Sequence, residues 1–168
     1  MQCCLFDSMD IRVGQGIDCH QLEKNIPFII GGIEIDANIG IKGHSDGDVL
    51  IHSIVDALLG SLSLGDIGTH FPDSPKWKNC SSHIFLNEAL GQLENNNYKI
   101  INIDSTIILQ EPKINKYISQ IKENLSKIIN IDSNNISVKA TTTDYLGFIG
   151  KGEGIAAIAS VLICKDNK

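Results

Sequence analysis

No apolar run in this chain approaches the roughly 18 residues that a membrane-spanning helix requires, and no cluster of lysine or arginine forms a basic stripe. The first absence argues against a role in a membrane. The second, with a formal net charge of −6, argues against nucleic-acid binding, which needs cations to compensate phosphates. Any phosphorylated ligand must then find its positive potential in metal ions, helix N-termini or backbone amides. Cysteine is present but unorganised. Cys3, Cys4, Cys19, Cys80 and Cys164 are odd in number and contain no C-x-x-C pair, so they indicate neither a cysteine zinc cluster nor a disulfide framework. Reduced thiols in a reducing compartment are the plain reading. Nucleotide-loop signatures are missing too. Gly14-Gln15-Gly16 is half of a dinucleotide fingerprint, but Cys19 stands where the third glycine belongs. Neither a G-x-x-x-x-G-K-[ST] loop nor a G-x-S-x-G elbow occurs. The opening MQCCLFDSMD is neither a signal peptide nor an Arg-rich transit segment. Residues 1–10 are expected to form a flexible leader and residues 11–168 a single domain.

What is there is globular. At 168 residues, 42% apolar and 20% charged, the chain can bury one real core. Segment 11–17 reads as a strand entering a loop, 26–35 as an apolar hairpin broken at Gly31-Gly32, and 36–47 as a loop rich in glycine and aspartate. From Val49 to about Leu64 apolar residues cover much of a helical surface, with Asp46 or Asp48 placed to cap it. A second loop, 65–80, leads to a helix opened by Ser81 or Ser82 and stopped by the asparagine run 95–97. Segments 100–109, 136–141 and 154–164 read as strands, and 114–130 carries the i, i+3/i+4 stripe of a helix. Segment 154–164 is apolar on both faces, so both faces should be covered. Strands and helices alternating in this order argue for one α/β layer domain.

The chemistry-bearing letters begin with Asp18-Cys19-His20. In extended chain, residues i and i+2 project to one face, so Asp18 and His20 can converge while Cys19 points away. His44 and His52 flank the loop and first turns of the following helix. His52 has Asp48 and Asp56 one turn away on either side, and Asp56 is expected to stand close behind the metal site. Two imidazoles and a carboxylate leave one tetrahedral position open, the pattern of catalytic rather than structural zinc. A chance D-x-H tripeptide and a helical histidine satisfied by its own surroundings would read the same way. Gly65–Gly68 and Thr141–Asp144 place small or hydroxylated residues at element ends, where amides and hydroxyls reach phosphate oxygens. Asp144 is suited to Mg²⁺ held between carboxylate, water and phosphate. An ordinary threonine-rich strand end fits the same letters.

Taken together, GxGxDxH near the start, then HSDGDVLIHSIVDALLGSLSLGDIGTHFPD, ILQEPK and VKATTTDYLGFIGKGEGIA closely resemble the 2-C-methyl-D-erythritol 2,4-cyclodiphosphate synthase family over about Ile11 to Ile163. The resemblance implies a cyclase of non-mevalonate isoprenoid synthesis, a phosphorus–oxygen lyase. Its substrate would be 4-diphosphocytidyl-2-C-methyl-D-erythritol 2-phosphate, whose 2-phosphate attacks the β-phosphorus and releases CMP. It implies zinc on Asp18, His20 and His52, and Mg²⁺ or Mn²⁺ on Asp144. His44 and Thr142 would stabilise the transition state, with His44 and Ser45 touching substrate. Asp66, Ile67 and Gly68 would meet the erythritol, under a flap over 71–75 that includes Phe71 and Asp73. Leu109 to Asn115, with Pro112 and Lys113, and Ala140, Thr141, Thr142 and Thr143 would form the cytidine pocket. Phe148 and Lys151 complete the implied substrate contacts.

The fold implied is α/β (α+β): a single domain with a mixed four-stranded main sheet, helices on one face and a small hairpin. Three copies would pack their sheets around a trimer axis, with active sites between subunits, zinc held by one chain and cytidine by the next. Some letters depart from the family. Asp144 stands where Glu is usual, one methylene shorter; Asn115 replaces an apolar residue. Ile17 and Lys151 replace a Phe and an Arg lining the trimer's central cavity, and Lys keeps the charge but not the bidentate geometry. Two rivals differ in product: a zinc phosphohydrolase would give linear phosphates, and a non-catalytic metal-dependent binding protein would give none. The expected compartment is a plastid of the apicoplast type for a eukaryotic source with a removed presequence, and the cytoplasm otherwise.

Overall fold

The computed structural model describes residues 10–72, 74–77 and 80–166, so most of the expected leader, and Asp73 of the expected flap, lie outside the described residues. In chain order the elements are β1 (Ile11–Lys24), β2 (Ile29–Ile30), β3 (Ile33–Glu34), β4 (Ile39–Lys42), α1 (Val49–Ser61), α2 (Ile67–His70), α3 (Ser82–Asn95), β5 (Tyr98–Ile108), α4 (Ile118–Ile129), β6 (Ile136–Thr141), α5 (Gly147–Gly150) and β7 (Gly154–Lys165). The main sheet runs β4-β1-β7-β5-β6, and β2 and β3 form a separate hairpin. Among the described residues only β5 and β6 pair in parallel, and α4 supplies the crossover between them.

The sheet has a fifth strand, β4, inside the segment expected to be loop. It is too short, and too interrupted by Gly40, for alternation to announce it. It forms because Ile39–Lys42 pairs with Gln21–Lys24 of β1. β1 likewise runs seven residues past the apolar stretch 11–17, its polar second half held by β7 on one side and β4 on the other. The helix expected to reach Leu64 stops at Ser61, with Leu62 as its C-cap. The four-residue helices α2 and α5 carry too little periodicity to be read from sequence.

One face of the sheet carries the helices. Leu50, Ile51, Ile54 and Leu58 of α1, Leu86 of α3, and Ile121 and Leu125 of α4 are fully buried against Ile103, Ile107, Ala159, Val161 and Ile163. Gly14 and Gly16 bring α1 unusually close. A Cβ at Gly14 would stand 1.8 Å from the Ala57 carbonyl oxygen, and one at Gly16 would stand 2.1 Å from that of Ser53. The glycine pair thus serves helix–sheet contact rather than a nucleotide.

The opposite face carries none of the long helices; among the described residues only α5 reaches it, with Phe148 standing over Gly154 at one end. Val13 and Ile17 are 72% and 61% exposed there, beside the half-buried Ile158 and Leu162 of β7. The expectation that both faces of β7 are covered is met on one face by this chain's own helices; within one chain the other stays open.

Candidate metal centre

Strand alternation places Gly14, Gly16, Asp18 and His20 on one side of β1, under α1. The close approach at the glycines aims the next two residues at the first turns of that helix, where His52 stands. Asp48 fixes the helix start. It is buried, and its carboxylate accepts from Ile51 N–H at 3.0 Å, Gly31 N–H at 2.9 Å and Gly32 N–H at 2.6 Å, tying the β2–β3 hairpin to the N-cap of α1. Burial pushes the Asp48 carboxyl above its ordinary value, against the pull of those amides.

The three side chains converge. Asp18 Oδ2 lies 2.9 Å from His20 Nε2 and 2.9 Å from His52 Nδ1, and the two ring nitrogens are 3.2 Å apart. Ligand atoms at about 2.0–2.1 Å from a tetrahedral zinc stand about 3.3 Å from one another, so the triangle is close to the size that such an ion needs. The tautomer of His20 agrees. Its Nδ1 is 3.0 Å from the Lys42 carbonyl oxygen, which only accepts, so the proton sits on Nδ1 and Nε2 turns a lone pair toward Asp18. Lone pairs this close repel unless a cation or a proton lies between them. Without metal, a proton on His20 Nε2, which faces both Asp18 Oδ2 and His52 Nδ1, plays that part. Burial raises the Asp18 carboxyl, but the hydrogen bond and charge of His20, with His52 beside it, outweigh that and hold the group well below the usual carboxylate range. Burial lowers His20, but its contacts with Asp18 outweigh that and leave the imidazole above its ordinary value.

The centre opens into a cleft of about 200 Å³ lined by His44, Ser45, Ile67, Gly68, Phe71, Trp77 and Phe85 together with the three ligands. Asp66 caps α2, accepting from the Thr69 N–H and hydroxyl at 2.8 Å each, which lower its carboxyl. Phe71, Trp77 and Phe85 pack edge and tilted with ring centroids 4.5–5.8 Å apart. Sequence reasoning missed Trp77 and Phe85; the only signal was a lone tryptophan in a proline-containing loop. It also missed the groups behind the ligands, namely the Lys42 carbonyl and Ser82, whose Oγ lies 2.9 Å from His52 Nε2.

Asp56 does not stand behind a ligand. Its carboxylate accepts from Ile67 N–H at 2.7 Å, so it holds the start of α2 against α1. Burial raises its carboxyl, and Asp18 and Asp66 add to that.

The remaining expected residues form a second group. Leu109 N–H donates to the Thr141 carbonyl at 2.9 Å and Tyr145 N–H to Gln110 Oε1 at 3.1 Å, knitting segment 109–113 to the end of β6 and the loop after it, while Lys113 Nζ donates to the Gln110 carbonyl at 3.3 Å within the segment. Thr142 Oγ1 lies 3.4 Å from Asp144 Oδ1, and Asp144 and Tyr145 both take left-handed backbone, φ 49° and 63°. Asp144, Lys113, Lys151 and Phe148 are exposed, and Ala140 is half-buried. Pro112, also half-buried, follows a cis peptide bond. Phe148 lines a separate depression with Cys19, Gln21 and Glu153. Among the described residues, nothing from 109–113 or 140–144 lines the cleft of the metal centre. β6 stands three strands from β1, about 14 Å at ~4.8 Å per strand, and that spacing keeps the two groups apart within one chain.

The comparisons with known proteins agree with this fold. The model of the YgbB family matches residues 11–164. A 2-C-methyl-D-erythritol 2,4-cyclodiphosphate synthase of Clostridium kluyveri is 52% identical over 159 residues, 94% of this chain and 97% of the relative. Among solved structures, the CDP complex of IspF from Plasmodium falciparum superposes with a TM-score of 0.84 at 40% identity, covering 94% of this chain and 97% of that one. The bifunctional IspDF of Campylobacter jejuni gives a TM-score of 0.90 at 40% identity, with this chain spanning 43% of its length.

Proposed function

We propose a mechanism from one premise: this chain belongs to the YgbB family, and it is an enzyme that forms 2-C-methyl-D-erythritol 2,4-cyclodiphosphate in non-mevalonate isoprenoid biosynthesis. In our reading it is a phosphorus–oxygen lyase. The substrate is 4-diphosphocytidyl-2-C-methyl-D-erythritol 2-phosphate; its 2-phosphate attacks the β-phosphorus and CMP leaves. A cytidine diphosphate ligand is supported by the CDP complex of the Plasmodium falciparum relative.

Asp18, His20 and His52 would hold zinc, and the convergence of their three ligand atoms within 2.9–3.2 Å is the observation that carries the proposal. When bound, the ion acts as a Lewis acid on the diphosphate. The chain's own residues bind and orient. Ile67 and Gly68 at the floor of the cleft seat the erythritol, Asp66 takes its hydroxyls, and Phe71 and Trp77 keep water out. His44, exposed at the rim, donates to the phosphate where charge develops. Phosphoryl transfer asks mainly for positioning and charge neutralisation. Because attacker and target share one molecule, holding the near-attack geometry contributes up to the ~7–11 kcal/mol known for well-oriented systems.

The cytidine end needs Leu109, Pro112, Lys113, Ala140, Thr141 and Thr143, with Thr142 on the reacting phosphate and Asp144 holding Mg²⁺ or Mn²⁺. Within one chain this group stands apart from the cleft, and the bare apolar sheet face offers a surface for other copies. Both observations support a homotrimer in which a neighbour completes each site. Phosphorus NMR of the purified protein with the substrate, zinc and magnesium should show the cyclic diphosphate and CMP. His52→Ala should lose zinc and turn over at least about 100-fold more slowly. Linear phosphates from the wild type, or no product with zinc bound, would overturn the reading.

A further inference from the structure

We infer that Ser82, gripped by Asp46, is a positioning residue that decides which nitrogen of His52 faces the metal. The inference rests on the metal reading above and extends it to the groups behind the ligands.

Ser82 is fully buried and His52 is 7% exposed, so the contact between them is closed to solvent. Ser82 Oγ has one hydrogen to give. Asp46 offers only acceptors: its Oδ1 is in hydrogen-bond contact with Ser82 Oγ, and its Oδ2 accepts the Ser82 backbone N–H at 2.8 Å. The hydroxyl hydrogen therefore goes to Asp46. Toward His52 Nε2, at 2.9 Å, Ser82 Oγ acts as acceptor, so the ring proton sits on Nε2. Ser45 Oγ, at 3.1 Å, stands where it can accept from the same N–H. A neutral imidazole carries one N–H, which leaves Nδ1 bare and aimed at Asp18 Oδ2 and His20 Nε2.

The chain Asp46–Ser82–His52 thus prepares the ligand before the metal arrives, as the Lys42 carbonyl does for His20. It is also anchored on both sides. Asp46 Oδ1 accepts the Asp48 N–H at 3.3 Å, and Asp46 N–H donates to the Cys80 carbonyl at 3.1 Å. The loop that carries Phe71 and Trp77 is therefore pinned, at its far end, to the residue that orients the ligand.

Two measurements test this. The first is nitrogen NMR of imidazole-labelled, metal-free protein at a pH where the ring is neutral. The wild type should carry the His52 proton on Nε2. In Asp46→Asn the new amide can donate to Ser82 Oγ, freeing the hydroxyl hydrogen to point at Nε2, and the proton should move to Nδ1. The second is zinc competition against a chelator. Ser82→Ala and Asp46→Asn should weaken zinc binding about 10- to 100-fold, and Ser82→Thr, which keeps the hydroxyl, should restore most of it. A wild-type His52 with its proton on Nδ1 would overturn the inference. So would Ser82→Ala and Asp46→Asn proteins that bind zinc within twofold of the wild type while the wild type binds it well. Wild-type protein that takes no zinc would remove the metal reading itself, and this inference with it.

Discussion

At the scale of single residues, the candidate metal centre is a place where protons and a divalent ion would compete for the same lone pairs. That competition has a sign. Asp18, held below its ordinary value of 3.8, contributes stability that is present above that pH and is lost as pH falls through its folded value. His20, held above its ordinary 6.5, contributes stability that is present below that pH and is lost as pH rises through its folded value. The metal-free protein should therefore melt highest between those two values and lose melting temperature on the alkaline side. With zinc added the trend should reverse, because the ion needs the imidazole unprotonated and its contribution grows with pH. Thermal melts across about pH 5 to 8, with zinc and with chelator, check this; parallel slopes would contradict it. Spacing alone, i+2 on a strand and one turn on a helix, only suggests Asp18, His20 and His52; the family resemblance singles them out. Asp56 shows where a local period misleads. Spacing put it beside His52, but it spends its hydrogen bond on Ile67, eleven residues away. Ser82 lies thirty residues from His52, and no local pattern announces such a contact.

At the scale of elements, what matters is how close α1 lies to β1. A methyl at Gly14 would fall inside the Ala57 carbonyl, which is helix backbone and cannot turn aside. Gly14→Ala should lift α1 from the sheet, cost about 3 kcal/mol or more of stability, and draw His52 away from Asp18 and His20. Denaturant unfolding together with zinc titration checks both effects. Wild-type stability and zinc affinity in that variant would show that the helix is not held by the glycine. The strongly apolar α1 and the striped α4 were evident in the sequence because their burial writes a period into the letters. β4 and the second half of β1 were not, since pairing partners hold them rather than apolar alternation.

At the scale of the whole molecule, one chain keeps the cleft at β1 and the residues that follow β6 three strands apart, and leaves Val13 and Ile17 of β1 bare on the face away from α1. Exposed apolar surface of this kind marks an association face. Ile17→Asp with Val13→Asp should convert the proposed trimer to monomer in analytical ultracentrifugation and remove turnover. Zinc binding should persist, because all three ligands belong to one chain. Turnover by a proven monomer would contradict the shared site. The order of strands and the emptiness of one face could not be read from sequence, since both depend on partners far along the chain or outside it.

Trp77 forms part of the cleft wall, edge-on to Phe71, and it is the sole indole in 168 residues. The molecule therefore carries its own optical gauge. Ultraviolet-excited emission comes chiefly from that one ring, so a change in its intensity or colour when a ligand is titrated in reports on filling of this cavity, with no dye attached and no background from a second fluorophore of the same kind.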